Sequence, residues 1–187
     1  MHSRKPRKER PPLDTPKLEE MALRYAGRFA TTRAKLIFYL NRKLRERGWA
    51  DGQAPDVDAI ADRFARLGYV DDAGFALSKA RSLAGRGYGK ARLVQSLRVA
   101  GVADPDGAEA RQHAQANSVD AALRFAQRRK LGPFGTGDMD PKARERALAA
   151  MVRAGHGFPL SRAILAISPA NDLPMDELIA LSSQDHD

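Results

Sequence analysis

Ala22-Leu23-Arg24-Tyr25-Ala26 returns as Ala76-Leu77-Ser78-Lys79-Ala80 and again as Ala122-Leu123-Arg124-Phe125-Ala126, at spacings of 54 and 46 residues. A second element keeps step with the first. Arg33-Ala34-Lys35-Leu36 matches Lys90-Ala91-Arg92-Leu93, and Lys142-Ala143-Arg144 is a partial third copy. A third is an apolar residue followed four positions later by glycine: Leu44 and Gly48, Leu97 and Gly101, Met151 and Gly155, with Phe64 and Gly68 closing another segment. Glycine just past a helix end is the usual left-handed cap, because it has no Cβ to clash there. Three elements recurring in one order, at a period near 50 residues, read as tandem helical repeats.

Between these markers the apolar residues fall at helical spacing. Leu36, Ile37, Leu40 and Leu44 form one stripe, Val57, Ile60, Ala61, Phe64 and Leu67 another, and Leu93, Val94 and Leu97 repeat the first. The spacing predicts helices over 16–29, 32–47 and 56–67, then 72–86, 90–100 and 105–116, then 118–130, 141–154 and 159–167, with a short one at 174–182. Thr15-Pro16 is read as a cap followed by proline in the first helical position, and Asp104-Pro105 as the opening of another helix. Almost nothing alternates with period two, so no sheet is expected. The expected fold is all-α, with three tandem three-helix repeats in an elongated, curved, solenoid-like arrangement. The expected organisation is a disordered basic arm over 1–14, repeats over 15–70, 71–117 and 118–168, and an acidic tail over 169–187.

The chain of 187 residues carries a formal charge of +9, unevenly placed. Residues 1–12 hold five cations against Glu9, whereas 169–187 hold five carboxylates and no Lys or Arg. A basic body points to a polyanionic partner, nucleic acid first. Excess arginine on a solvated surface is the plainer alternative. No run of about 18 apolar residues could cross a membrane, and the basic N-terminus is followed by no apolar segment of the secretory kind. Cysteine is absent, which removes disulfides and thiolate metal sites and fits a reducing cytoplasm, the expected location.

The residues offer little chemistry. His2, His113, His156 and His186 have no partners at metal-ligand spacing, so no metal and no cofactor are expected. Asp71-Asp72 reads as helix capping rather than a catalytic carboxylate pair. Gly85-Arg86-Gly87-Tyr88-Gly89-Lys90 invites a phosphate-loop reading, but position 91 is Ala where Ser or Thr is needed, and no strand precedes it. A turn between helices fits better. An enzyme is not expected. What remains is basic surface. Arg33, Lys35, Lys90, Arg92, Lys142 and Arg144 hold equivalent places early in the second helix of each repeat, and Arg42, Arg98 and Arg146 would widen the stripe. Tyr88 is the candidate for stacking on a base, with packing in a turn as its other reading. Trp49 reads as a core contact beside a helix cap.

Residues 66–102 carry a family resemblance. Arg66-Leu67-Gly68-Tyr69-Val70-Asp71-Asp72, Phe75-Ala76, Arg81, Gly85-Arg86-Gly87-Tyr88-Gly89-Lys90-Ala91-Arg92-Leu93 and Leu97-Arg98-Val99-Ala100-Gly101-Val102 are similar to the central repeat of the RecX family. The likeness extends over about 15–168. It implies a cationic protein of tandem three-helix repeats that binds RecA, lodges in the filament groove, suppresses its ATPase, strand-exchange and co-protease activities, and touches DNA directly. Through those motifs it adds Arg81 and Arg86 to the RecA- or DNA-binding candidates. The chain departs from the family at Ser96, where many members carry Glu, in larger loops at 50–56 and 132–141, and in its acidic tail. A monomer is expected. Two alternatives stay open: a stand-alone, sequence-independent DNA-binding module, single- or double-stranded, and a helical adaptor for an unrelated protein.

Overall fold

The structure, a computed structural model, describes residues 11–50, 52–137, 139–169 and 171–183. The described residues form ten α-helices: α1 (Thr15–Arg28), α2 (Arg33–Arg47), α3 (Val57–Arg66), α4 (Asp72–Gly85), α5 (Lys90–Ala100), α6 (Ala108–Ala116), α7 (Ser118–Arg129), α8 (Pro141–Arg153), α9 (Phe158–Ala166) and α10 (Met175–Ser183). A short 3-10 turn lies at Gly132–Phe134, and the only bridge of β type among the described residues pairs Leu13 with Trp49. The all-α expectation holds.

The caps explain the boundaries. Asp14, Thr32, Asp56 and Asp140 each accept a hydrogen bond from the backbone N–H three residues on, at 2.8–3.2 Å, and so satisfy a donor the helix cannot. At α1 this corrects the sequence reading: Asp14 is the cap, and Thr15 is already helical. A second correction falls at α6. Asp104-Pro105 does not open the helix, which starts at Ala108 after a turn held by Gly107 N–H bonding to Ala103 O at 3.0 Å.

The glycine stops all end helices with positive φ, though Gly48, with ψ of 176°, is not a left-handed helical cap. Gly48, Gly68, Gly101 and Gly155 have φ of 76°, 76°, 68° and 94°. After three of them the next N–H turns back onto the carbonyl of the marker residue: Tyr69 to Phe64, Val102 to Leu97 and His156 to Met151, at 2.9–3.2 Å. The turn at Gly87 repeats the device, with Tyr88 N–H bonding to Leu83 O at 2.9 Å.

The described chain divides into two compact units, ending and beginning at Asp72 and Ala73. In the first, α1, α2 and α3 enclose Leu13, Leu18, Ala22, Leu36, Leu40, Ile60 and Phe64. Residues 11–14, assigned from sequence to a disordered arm, are built into this unit. Leu13 is fully buried, its N–H bonds to Gly48 O, its C=O accepts from Ala50 N–H, and Trp49 packs on the same core. The rest of that arm, residues 1–10, lies outside the described residues. The second unit holds two cores. One gathers Ala76, Ala80, Leu83, Leu93, Leu97, Ala110 and Ala114; the other gathers side chains of α7, α8, α9 and α10, with Phe125, Met151, Leu160, Ile164 and Leu178 inside. Tyr88 packs against both.

Candidate nucleic-acid interface

In the first unit the candidate cations come from α2, and they are not equivalent. Arg33 is engaged internally. Its Nε donates to Asp62 at 2.5 Å and its terminal nitrogen to Asp58 at 3.1 Å, tying α2 to α3. The hydrogen bond to Asp62 is the main reason the Arg33 pKa is raised, and the same bond lowers that of the Asp62 carboxyl. A phosphate would have to displace two carboxylates to reach Arg33. Its backbone N–H is also taken, by Asp72 Oδ1 at 2.8 Å, so that aspartate caps α2 from a distance in sequence. Lys35 is half-buried, and its N–H donates to the Thr32 cap. Arg42 is exposed, with its guanidinium 5.7 Å from the Tyr39 ring centroid and its Nε 3.8 Å from Glu46.

In the second unit Lys90 and Arg92 open α5, Arg98 lies in its last turn, and Lys142, Arg144 and Arg146 project from the first two turns of α8. All are exposed except Lys90, which is half-buried. The Gly-Arg-Gly-Tyr-Gly-Lys segment fixes how these pairs relate. Gly89 N–H bonds to Ala154 O at 3.0 Å and Ala91 N–H to Gly155 O at 3.2 Å, so the start of α5 docks on the loop that leaves α8. A Cβ on Gly89 would collide with the Gly155 carbonyl, and one on Gly155 with Arg92 N. The phosphate-loop reading thereby gives way to a packing role: glycine is needed because two backbones touch. Lys90 and Arg92 therefore sit at the C-terminal end of α8, whereas Lys142 and Arg144 sit at its start, about 18 Å away by helical rise. The pairs form no compact cluster.

Arg81 borders a recess of about 150 Å³ that it shares with Arg124, His113, Asn117 and Asp120. Arg86 sits 5.5 Å from the Tyr88 ring centroid, with Arg128 at 5.9 Å, and an Arg128 nitrogen donates to the Arg86 carbonyl. Tyr88 is thus packed between two cores and beside two guanidinium groups, which favours its packing reading over base stacking. A larger recess of about 460 Å³ beside Lys90 is lined by Gln115, His156, Leu160 and Ser182. His156 is buried. Its Nε2 lies 3.1 Å from Gly87 O, a carbonyl that can only accept, so Nε2 carries the proton. Burial lowers its pKa from 6.5 to about 4, the Gly87 hydrogen bond opposing. It is a neutral structural histidine at pH 7.

Arg28, Lys43, Arg128 and Arg129 were not singled out from sequence, yet each lies within 6 Å of an aromatic ring centroid. A signal was available. Tyr39 is followed by Arg42 and Lys43, and Phe125 by Arg128 and Arg129, at the i+3 and i+4 positions that face the same side of a helix. Among the described residues no group of His, Asp and Glu is arranged to hold a metal ion, and no helix is long and apolar enough to cross a membrane.

The ten helices of the described residues, five of them followed by a glycine of positive φ, carry exposed arginines and lysines and define a basic helical protein. The comparisons narrow this class. The regulatory protein RecX of Myxococcus xanthus (strain DK1622) is 33% identical over 180 residues, covering 89% of this chain and 91% of that one. RecX of Agrobacterium fabrum is 29% identical over 141 residues, covering 73% and 75%. The crystal structure of RecX from Lactobacillus salivarius superposes with a TM-score of 0.58 at 17% identity, over 80% of this chain and 92% of that one, a likeness of fold. No family model matches the chain. The chain belongs to the RecX family of regulatory proteins.

Proposed function

We propose that this protein regulates homologous recombination and the SOS response by binding RecA and its nucleoprotein filament, and that it inhibits the filament's ATPase, strand-exchange and co-protease activities. The observation that carries the reading is the match along nine-tenths of the chain to a regulatory protein RecX. The three separate cores, drawing on residues 13–70, 76–114 and 119–178, support its construction from tandem helical repeats. Exposed Arg92, Arg98, Lys142, Arg144 and Arg146, with the half-buried Lys90, supply charge for a filament of protein and DNA. Arg33 contributes to the fold of its unit and is left out of the proposed face. Such a regulator acts in the cytoplasm, as a monomer, without a cofactor and without catalysis of its own.

Titration into DNA-dependent ATP hydrolysis by RecA tests this. Inhibition is expected when regulator is far scarcer than RecA. A protein that slows hydrolysis only after coating the DNA is a stand-alone DNA binder, the second reading, which the same exposed cations favour. Joint reversal of Lys90 and Arg92 to Glu is expected to weaken filament binding about tenfold or more, since it removes two cations and adds two anions. Circular dichroism should be unchanged; lost helicity would make these residues structural.

A further inference from the structure

Phe29 and Phe38 are 51% and 65% exposed, and both stand in the most aromatic part of the chain. The rings near them are ordered. Tyr25 and Tyr39 stack with centroids 4.2 Å apart and planes 10° from parallel, joining α1 to α2. Phe29 continues the row from the end of α1, its centroid 5.6 Å from Tyr25 and its plane tilted by 53°. Cations border the row at both ends. Arg28 lies 5.6 Å from the Phe29 centroid, and Arg42 and Lys43 lie 5.7 and 5.8 Å from that of Tyr39. Phe38 is four residues before Arg42, on the same face of α2. Glu46 bonds Lys43 at 2.5 Å and approaches Arg42 at 3.8 Å. Three cations against one carboxylate leave the row positive.

Such a row can do what exposed cations alone cannot. An exposed ring offers a π-face that any base can cover, and the cations beside it meet the phosphates on either side. Paired bases in a duplex hide their faces in the stack; unpaired bases do not. Tyr25 and Tyr39 are half-buried, pack on the core of the first unit and lie face to face, so they back the row rather than offer free faces. We propose that Phe29, held by that stack and bordered by Arg28, Arg42 and Lys43, is a stacking platform for the unpaired bases of single-stranded DNA. The proposal rests on the nucleic-acid part of the function given above and adds to it a preference for single strands. The platform holds a strand by its bases, whereas the α5 and α8 cations act on phosphates alone. Sequence preference is not expected, because every base has a π-face.

The test uses the full chain and three probes: a thymidine oligonucleotide, an abasic strand of equal length and a duplex. Phe29→Leu keeps an apolar side chain at an exposed position and removes the ring face. It is expected to weaken thymidine-strand binding about tenfold, within the range for losing one base–aromatic stack. Affinity for the abasic strand and the duplex should not change. Phe29→Trp should restore or strengthen binding to the thymidine strand. Equal losses on all three probes, or no loss on any, overturn the proposal. If Phe29→Leu leaves every strand bound as before but relieves inhibition of RecA, the row docks protein and the proposal also falls. Failure of inhibition by the unaltered chain, with the thymidine-specific loss intact, would instead count against the RecA reading alone.

Discussion

Gly85 and Gly89 stand four residues apart in one motif and have opposite burdens. A Cβ added at Gly85 meets nothing within 4 Å, whereas one at Gly89 would strike the Gly155 carbonyl, a backbone atom that cannot swing away. Gly89→Ala is therefore expected to cost about 2–4 kcal/mol, and Gly85→Ala to be neutral or slightly stabilising in the last turn of a helix. Urea unfolding measures both, and equal effects would refute the distinction. His156 supplies the second expectation at this scale. Its folded pKa, about 4, lies below the unfolded value of 6.5, so between them the unfolded chain binds the extra proton. Stability is then full above about pH 6.5 and falls as the pH drops toward 4, by at most roughly 3 kcal/mol. His156→Gln should flatten that part of the pH–stability curve. A wild-type slope that persists in the variant would place the proton elsewhere.

At the scale of elements, α10 shows how far a composition-based reading reaches. The acidic stretch after residue 169 looks like a tail, and Asp176 and Glu177 do occupy the first turn of α10, where negative charge suits the helix dipole. Yet Leu178 is fully buried among side chains of α7, α8 and α9, and Gln115 Nε2 donates to Ser182 O at 2.7 Å. A nine-residue helix could not persist alone; it is held by packing. Leu178→Ala is expected to destabilise the second unit by about 2–5 kcal/mol, as for a fully buried leucine. Thermal or urea unfolding indistinguishable from the parent would mean that the helix is only loosely attached. The ends of α1, α6, α7 and α9 carry no glycine for spacing to reveal, but four glycine stops were legible. Each is a local transaction between one glycine and the four residues before it, so spacing alone located Gly48, Gly68, Gly101 and Gly155. The start of α6 was not legible, because a Pro after Asp can begin a turn as readily as a helix.

For the whole molecule the governing quantity is charge. Strand binding that engages about six phosphates should show a slope near −4 in log affinity against log salt, or roughly a 300-fold loss between 50 and 200 mM. Fluorescence anisotropy over that range decides it, and a flat response would remove the electrostatic reading. The candidate surface was less legible than the fold. Equivalent sequence positions identified Lys90, Arg92, Lys142 and Arg144 as exposed or partly exposed cations, but identical reasoning chose Arg33, whose charge is consumed by Asp58 and Asp62. It overlooked Arg28, Lys43, Arg128 and Arg129, whose importance rests on which rings they meet.

The sequence by itself determined where the helices lie, four of their glycine stops, the all-α class and the excess of positive charge, because helical period, capping and composition act over a few residues at a time. Only the tertiary structure decided which cations remain available, why Gly89 must be glycine, and that the acidic end carries a docked helix. Those outcomes depend on groups far apart in the chain: Arg33 meets Asp62, Gly89 meets Gly155, and Gln115 meets Ser182. No local pattern encodes such meetings, since they arise when separate helices bury their apolar faces together.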